Sequence, residues 1–214
     1  FTVAGREGPD FVMDAALDSE DFEIAEYNGM KLWAALRGTK LYLATWGTGS
    51  HSEITNDHFI CIHTNLGDAT AAPWLQQGFI VLPTSFPYLA GEGGNVWSGW
   101  FTAAPGSTTN ANSNANETYN YLEGTIDLAD NFGGVPEAIY VAVGVYGNND
   151  GDPLYGQVPA MWDGGNNLET MEILRVPTAS IRDENADGYF DGGNPRMWTV
   201  VNDSTNDANY GLRR

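Results

Sequence analysis

Two alternating apolar runs meet at Arg37-Gly38-Thr39 in the segment KLWAALRGTKLYLATW, residues 31–46. Leu32, Ala34 and Leu36 alternate with Trp33 and Ala35 before the turn; Leu41 and Leu43 alternate with Tyr42 and Ala44 after it. A period of two, broken by a glycine, reads as an antiparallel hairpin. Asn28-Gly29 supplies another turn just upstream. The segment DHFICIHTN, from Asp57, is apolar on both faces and belongs in the middle of a sheet. GFIVLP from Gly78, VWSGWFT from Val96, YNYLEGTIDL from Tyr119, AIYVAVGVY from Ala138 and ETMEILRV from Glu169 continue the series. This spacing, with Gly, Asn and Pro as punctuation, predicts an all-β fold: a two-sheet antiparallel β-sandwich of jelly-roll or immunoglobulin-like type. One short helix is expected from Leu128 to Phe132, stopped by Gly133-Gly134. APGSTTNANSNANE, from Ala104, is polar and of low complexity and reads as a long exposed loop; GNNDGDP and WDGGNN are further Asn/Asp/Gly loops. None reads as a linker, because strand patterns resume at once, so residues 1–214 are expected to form one domain.

Charge narrows the partners. The chain has 28 Asp and Glu against 9 Lys and Arg, a net charge of −19, and no basic residue from Leu41 through Leu174. Nucleic acid and anionic membrane surfaces are therefore poor partners. No apolar stretch approaches membrane-spanning length. The single cysteine, Cys61, lies between Ile60 and Ile62 and is expected to be a buried, unreactive strand residue. A chain opening at Phe1, without an initiator Met, is expected to be a mature secreted protein whose signal peptide has been removed.

The chemistry is concentrated in an acidic loop, DENADGYFDGG, beginning at Asp183. Asp183, Asn185, Asp187 and Asp191 stand at loop positions 1, 3, 5 and 9, with Gly188 at position 6 and the Tyr189 carbonyl at position 7. That is the spacing with which a short loop wraps oxygen ligands around Ca2+. Position 12 is Asn194 rather than glutamate, and Pro177, Gly192, Gly193 and Pro195 deny the loop flanking helices, so it is not an EF-hand. The alternative is an Asx-rich turn without an ion. Asn148, Asp150 and Asp152 in GNNDGDP form a second metal candidate, which turn chemistry also explains. His51, His58 and His63 are too strand-bound to converge readily on zinc.

Trp97 and Trp100 suggest a platform on which a glycan stacks, but three residues apart on a strand they face opposite ways, one toward the core and one outward. Trp33, Trp46 and Trp198 read as core. There is no HExxH, nucleophile elbow, P-loop or CxxC, and nothing singles out a pair of catalytic carboxylates.

MDAALDSEDFEIA, then GTKLYLATW, NDHFICIHTN and LEGTIDLADNFGGVPEAIYVAVGVY, together resemble the family-9 carbohydrate-binding-module and DOMON-like superfamily of extracellular β-sandwiches, over residues 11–146. The resemblance implies a non-catalytic fold, often calcium-bearing, with sugar or haem ligands in some branches. A haem would take Met30 with His58 or His63. The start differs: Asp14-Ala15 stands where the pattern has Asp-Gly.

These readings give three expectations for function. The first is a non-catalytic, secreted, calcium-binding building block of an extracellular layer or filament, a homo-oligomer or polymer in which the segment from Phe1 to about Val12 contacts another chain. The second is a carbohydrate-binding module using exposed Trp and Tyr. The third is a glycan-active enzyme.

Overall fold

In the computed structural model, residues 10–47, 56–92, 97–102, 111–116, 121–160, 164–191 and 198–199 are described. Two-residue turns build the first sheet. Asn28 and Gly29 take φ of 50° and 82°, joining β1 (Glu23–Tyr27) to β2 (Met30–Arg37). Gly38, at φ 57°, joins β2 to β3 (Lys40–Gly47); the hairpin forms as expected, but Arg37, read as part of the turn, ends the strand opposite Lys40. Positive φ at such positions matches the twist of the paired strands.

Sheet A runs β14 (Trp198–Thr199), β1, β2, β3, β10 (Tyr121–Asp127), β9 (Ala111–Asn116). Sheet B runs β12 (Leu154–Val158), β11 (Ala138–Tyr146), β4 (Asp57–His63), β7 (Pro87–Glu92), β8 (Trp97–Thr102), with β13 (Leu174–Pro177) also on β11. A small ladder pairs β5 (Thr70–Ala71) with β6 (Phe79–Ile80). The two large sheets pack as a β-sandwich, as expected. The helix α1 spans Leu128–Phe132, capped by the Asp127 carboxylate and ended by Gly133 at φ 76°.

Leu32, Leu36, Leu43 and Ile126 from sheet A meet Ile60, Ile62, Leu89, Val141 and Val143 from sheet B in the core. Both outer faces are covered as well. Residues 10–22, here called the strap, lie over sheet A: Phe11 stacks on Tyr42 with ring centroids 5.0 Å apart, and Phe22 packs on Tyr42 and Phe190. Over sheet B, the loops around residues 66–86 and 164–173 bury Phe59, Cys61, Tyr88 and Tyr146 in a second core. Cys61 is fully buried on the central strand, and burial raises its thiol pKa.

Three expectations change. The loop expected from Ala104 is strand over Ala111–Asn116, paired with β10; residues 103–110 lie outside the described ones. Its pattern is period two after all: Ala111, Ser113 and Ala115 pair with Ile126, Gly124 and Leu122, while Asn112 and Asn114 take the other face. GFIVLP pairs only at Phe79–Ile80. ETMEILRV begins as a 3-10 turn, because the Glu172 carboxylate accepts the Glu169 N–H at 2.9 Å, and only Leu174–Pro177 is strand.

Candidate functional site

The acidic loop is fastened to the end of β2. Asp183 N–H donates to the Leu36 carbonyl at 3.0 Å, and Asp191 N–H closes the loop on the Arg182 carbonyl at 2.8 Å. Within it, each predicted side-chain ligand accepts a backbone N–H. Asp187 N–H is shared by Asp183 Oδ1 at 3.1 Å and Asn185 Oδ1 at 3.3 Å, Tyr189 N–H donates to Asp187 Oδ1 at 3.0 Å, and Glu184 N–H donates to Asp191 Oδ2 at 2.8 Å. Gly188, at φ 86°, makes the sharp turn, and its carbonyl accepts the Ser19 hydroxyl of the strap at 2.7 Å.

Asp183 is fully buried, and its Oδ2 is held by Arg37 through Nε at 3.0 Å and Nη2 at 2.7 Å. Arg182 pairs with Glu184. Asp183, Glu184, Asp187 and Asp191 thus carry four negative charges against two positive ones on Arg37 and Arg182, leaving two. The donor set is hard oxygen, which suits Ca2+. Arg37 occupies one oxygen of the first position, and Asn194 lies outside the described residues. Among the described residues, no three His, Cys, Asp or Glu side chains cluster as metal ligands do.

In the second loop, Asp152 Oδ2 accepts the backbone and side-chain N–H groups of Asn149 at 3.0 and 3.2 Å, while Asn148 and Asp150 are exposed. This loop docks on another: Gln77 N–H donates to the Asp152 carbonyl and Gly151 N–H to the Leu75 carbonyl.

That docking builds a corner the sequence did not reveal. Register aligns Trp97, Glu92, Asp57 and Tyr146 in one row at the end of sheet B. Above the row, Gln76 Nε2 donates to Asp57 Oδ2 at 2.9 Å and to the Gly147 carbonyl at 3.1 Å. Burial, with Glu92, Asp150 and Asp152 adding like charge, pushes Asp57 up to about 6 although the Gln76 bond opposes the shift. Trp74 leans on Trp97, centroids 5.4 Å apart, and meets Phe59 and Phe101 in T-shaped contacts. Trp74 and Leu75 both hold left-handed backbone, φ 51° and 62°, and Leu75 is 76% exposed.

Trp97 and Trp100 do face opposite ways. Trp97 is 40% exposed on the outer face, whereas Trp100 packs against the inter-sheet core and donates Nε1–H to the Asn112 carbonyl at 2.9 Å. The aromatic neighbours of Trp97 are therefore Trp74 and Phe101, not Trp100. Trp33 is core, Trp46 is partly buried against it, and the side chain of Trp198 lies outside the described residues. His58 is buried, His63 accepts the Asn65 N–H at Nδ1 and contacts Phe132 by its edge, and His51 lies outside the described residues. Met30 is fully buried in the inter-sheet core.

The chain matches no protein-family model, and no curated protein or solved structure is detectably similar to it.

Proposed function

We propose that this chain is a non-catalytic, calcium-binding β-sandwich that serves as a self-associating building block of an extracellular layer or filament. One observation carries the reading. The outer edge of β1 is paired by β14, in parallel, at Ala25 and Glu26 alone; along the rest of that edge no strand partner stands among the described residues. A part-covered edge is a template for another chain. The strap supports the reading from the other side. Phe11 is packed into its own chain, so of the segment from Phe1 to about Val12 the part proposed to contact a neighbour is the one before Asp10, which lies outside the described residues. Calcium, held by the side chains of Asp183, Asn185, Asp187 and Asp191 and the Tyr189 carbonyl, would neutralise the two charges that the arginines leave.

Electron microscopy and sedimentation of the purified chain with calcium test this. Polymers are expected, and removal of residues 1–9 is expected to leave a folded monomer. An intact chain that stays monomeric at high concentration with calcium, or a truncated one that still polymerises, overturns the reading.

A second reading, a glycan-binding module, is favoured by the Trp74–Trp97 pair beside Asp57 and Glu92, since sugars stack C–H faces on indoles and offer hydroxyls to carboxylates. A glycan array with the natural chain and Trp97→Ala tests it: a signal lost in the variant is expected, and no signal from the natural chain excludes it for the glycans displayed.

A further inference from the structure

The strap hides two carboxyl groups that neither reading employs. Glu123 on β10 is fully buried. Its Oε1 accepts the Ala15 N–H of the strap at 2.6 Å. Its Oε2 lies 3.2 Å from the Tyr42 hydroxyl and 3.3 Å from that of Tyr121. Those hydroxyls are 2.7 Å apart, so one donates to the other and only one hydroxyl proton remains for Glu123. Asp18, on the strap itself, accepts the Val12 N–H at Oδ1, while its buried Oδ2 has no partner among the described residues. The charged and titratable groups facing these carboxyls are Asp14 from the strap, Tyr42 from β3, Tyr121 from β10, Arg37 from β2 and Asp183 from the acidic loop. Arg37 is the cation of this set, and its guanidinium is held by Asp183.

We propose that Glu123 is a proton-operated latch on the N-terminal strap: protonated, it lets residues 10–19 lie down on sheet A; ionised beside Asp18, it loosens them. Burial, reinforced by the charges of Asp18 and Asp14, pushes Glu123 up to about 7 although bonds from Ala15 and Tyr42 oppose this, and burial also raises Asp18. A carboxyl whose pKa is higher with the strap docked than with it free binds more protons in the docked state. Docking is therefore strongest in acid and weakens as pH rises from the ordinary glutamate range through about 7. The consequence for assembly rests on the building-block reading: a strap loosened above about pH 7 would alter self-association.

The test is amide hydrogen exchange of the strap in the intact 214-residue chain at about pH 5 and about pH 8.5, corrected for intrinsic exchange. The Ala15 amide is expected to exchange at least about tenfold faster at the higher pH. In Glu123→Gln, whose carbonyl still accepts the Ala15 N–H but cannot ionise, the difference is expected to vanish. In Asp18→Asn the transition is expected to move to lower pH. Equal exchange at both pH values in the natural chain, or an unchanged pH response in Glu123→Gln, overturns the latch. Should that variant not fold, carbon NMR of the Glu123 carboxyl in the natural chain decides, because an ordinary glutamate midpoint overturns the proposal. Exchange is read on the monomer, so a strap that responds to pH in a chain that never polymerises refutes the building-block reading and leaves the latch standing.

Discussion

Sheets A and B are each covered on the outside, and each cover buries a carboxyl group. Over sheet A the strap is held mainly by side chains: Phe11 on Tyr42, Phe22 on Phe190, the Ala15 N–H on Glu123, and Asn114 Nδ2 on the Met13 carbonyl. Over sheet B the loops are bonded to one another through backbone: Val81 to Leu168, Leu168 to Phe79, Gln77 to Asp152 and Gly151 to Leu75. The difference predicts behaviour. A cover tied by its own main-chain bonds opens as a unit and at high cost, whereas one tied by a few rings and a titratable group can lift alone.

The largest test of this contrast is Phe11→Ala. It removes the ring that stacks on Tyr42 and that Arg37 covers at 4.1 Å. A loss of about 3 kcal/mol is expected by denaturant unfolding, in line with Phe truncations in cores. Strap amides should lose protection while those of β4 and β11 keep theirs under native conditions. Uniform loss across both sheets would mean that the strap is not a separate unit.

Calcium comes next. The acidic loop touches the same cover, through Ser19 on the Gly188 carbonyl and Phe22 on Phe190. An ion bound there at about a hundred times its Kd adds about 2.7 kcal/mol. Chelation is expected to lower Tm and to speed exchange in the strap before it affects the cover of sheet B. A melting curve indifferent to chelator, together with no metal by elemental analysis, removes calcium from the account.

Some of this organisation is legible in the sequence and some is not, for physical reasons. Hairpin alternation from Lys31 to Trp46 and the Gly133-Gly134 stop after Phe132 are local signals, so both elements fall where the pattern puts them. β9 escaped because Ala111, Ser113 and Ala115 are too small to register as an apolar face among asparagines. The opposed directions of Trp97 and Trp100 follow from strand geometry alone. Their real neighbours, Trp74 and Asn112, arrive from elsewhere in the chain, and Trp74 sits in a turn with no periodicity to announce it. Spacing in the acidic loop picked out the capping oxygens, but the grip of Arg37 on Asp183 is a contact between distant residues that spacing cannot encode.

Acid titration separates the covers more finely. Burial raises both Asp57 and Glu123, to about 6 and about 7. Each therefore contributes stability that is full below its ordinary carboxyl range and lost as pH rises through its folded value. Global stability is expected to fall, by on the order of 1–3 kcal/mol, between about pH 4 and about pH 7. Asp57→Asn keeps an acceptor for Gln76 and should remove the lower part of that slope, leaving the strap transition in place. A variant that abolishes the whole slope would show that the two carboxyls do not act independently.

The smallest expected effect concerns backbone strain in the cover of sheet B. Leu75 holds φ 62° with its side chain 76% exposed, next to Trp74 at φ 51°. A left-handed conformation costs a non-glycine residue about 1 kcal/mol or more, and an exposed Leu side chain returns little of it by packing. Glycine relieves that strain but gives the unfolded chain more freedom, worth about 0.4–1 kcal/mol in the opposite direction. Leu75→Gly is thus expected to shift unfolding stability by less than about 1 kcal/mol. Binding should respond differently if the Trp74–Trp97 pair is a glycan platform, because the strained turn sets the tilt of Trp74 over Trp97 and glycine loosens that setting. Near-neutral stability with weakened glycan binding would assign the strain to recognition. Unchanged binding alongside unchanged stability would make the turn a structural clamp, tied down by Gly151 and Gln76, and would leave sheet B's cover as the inert counterpart of the strap.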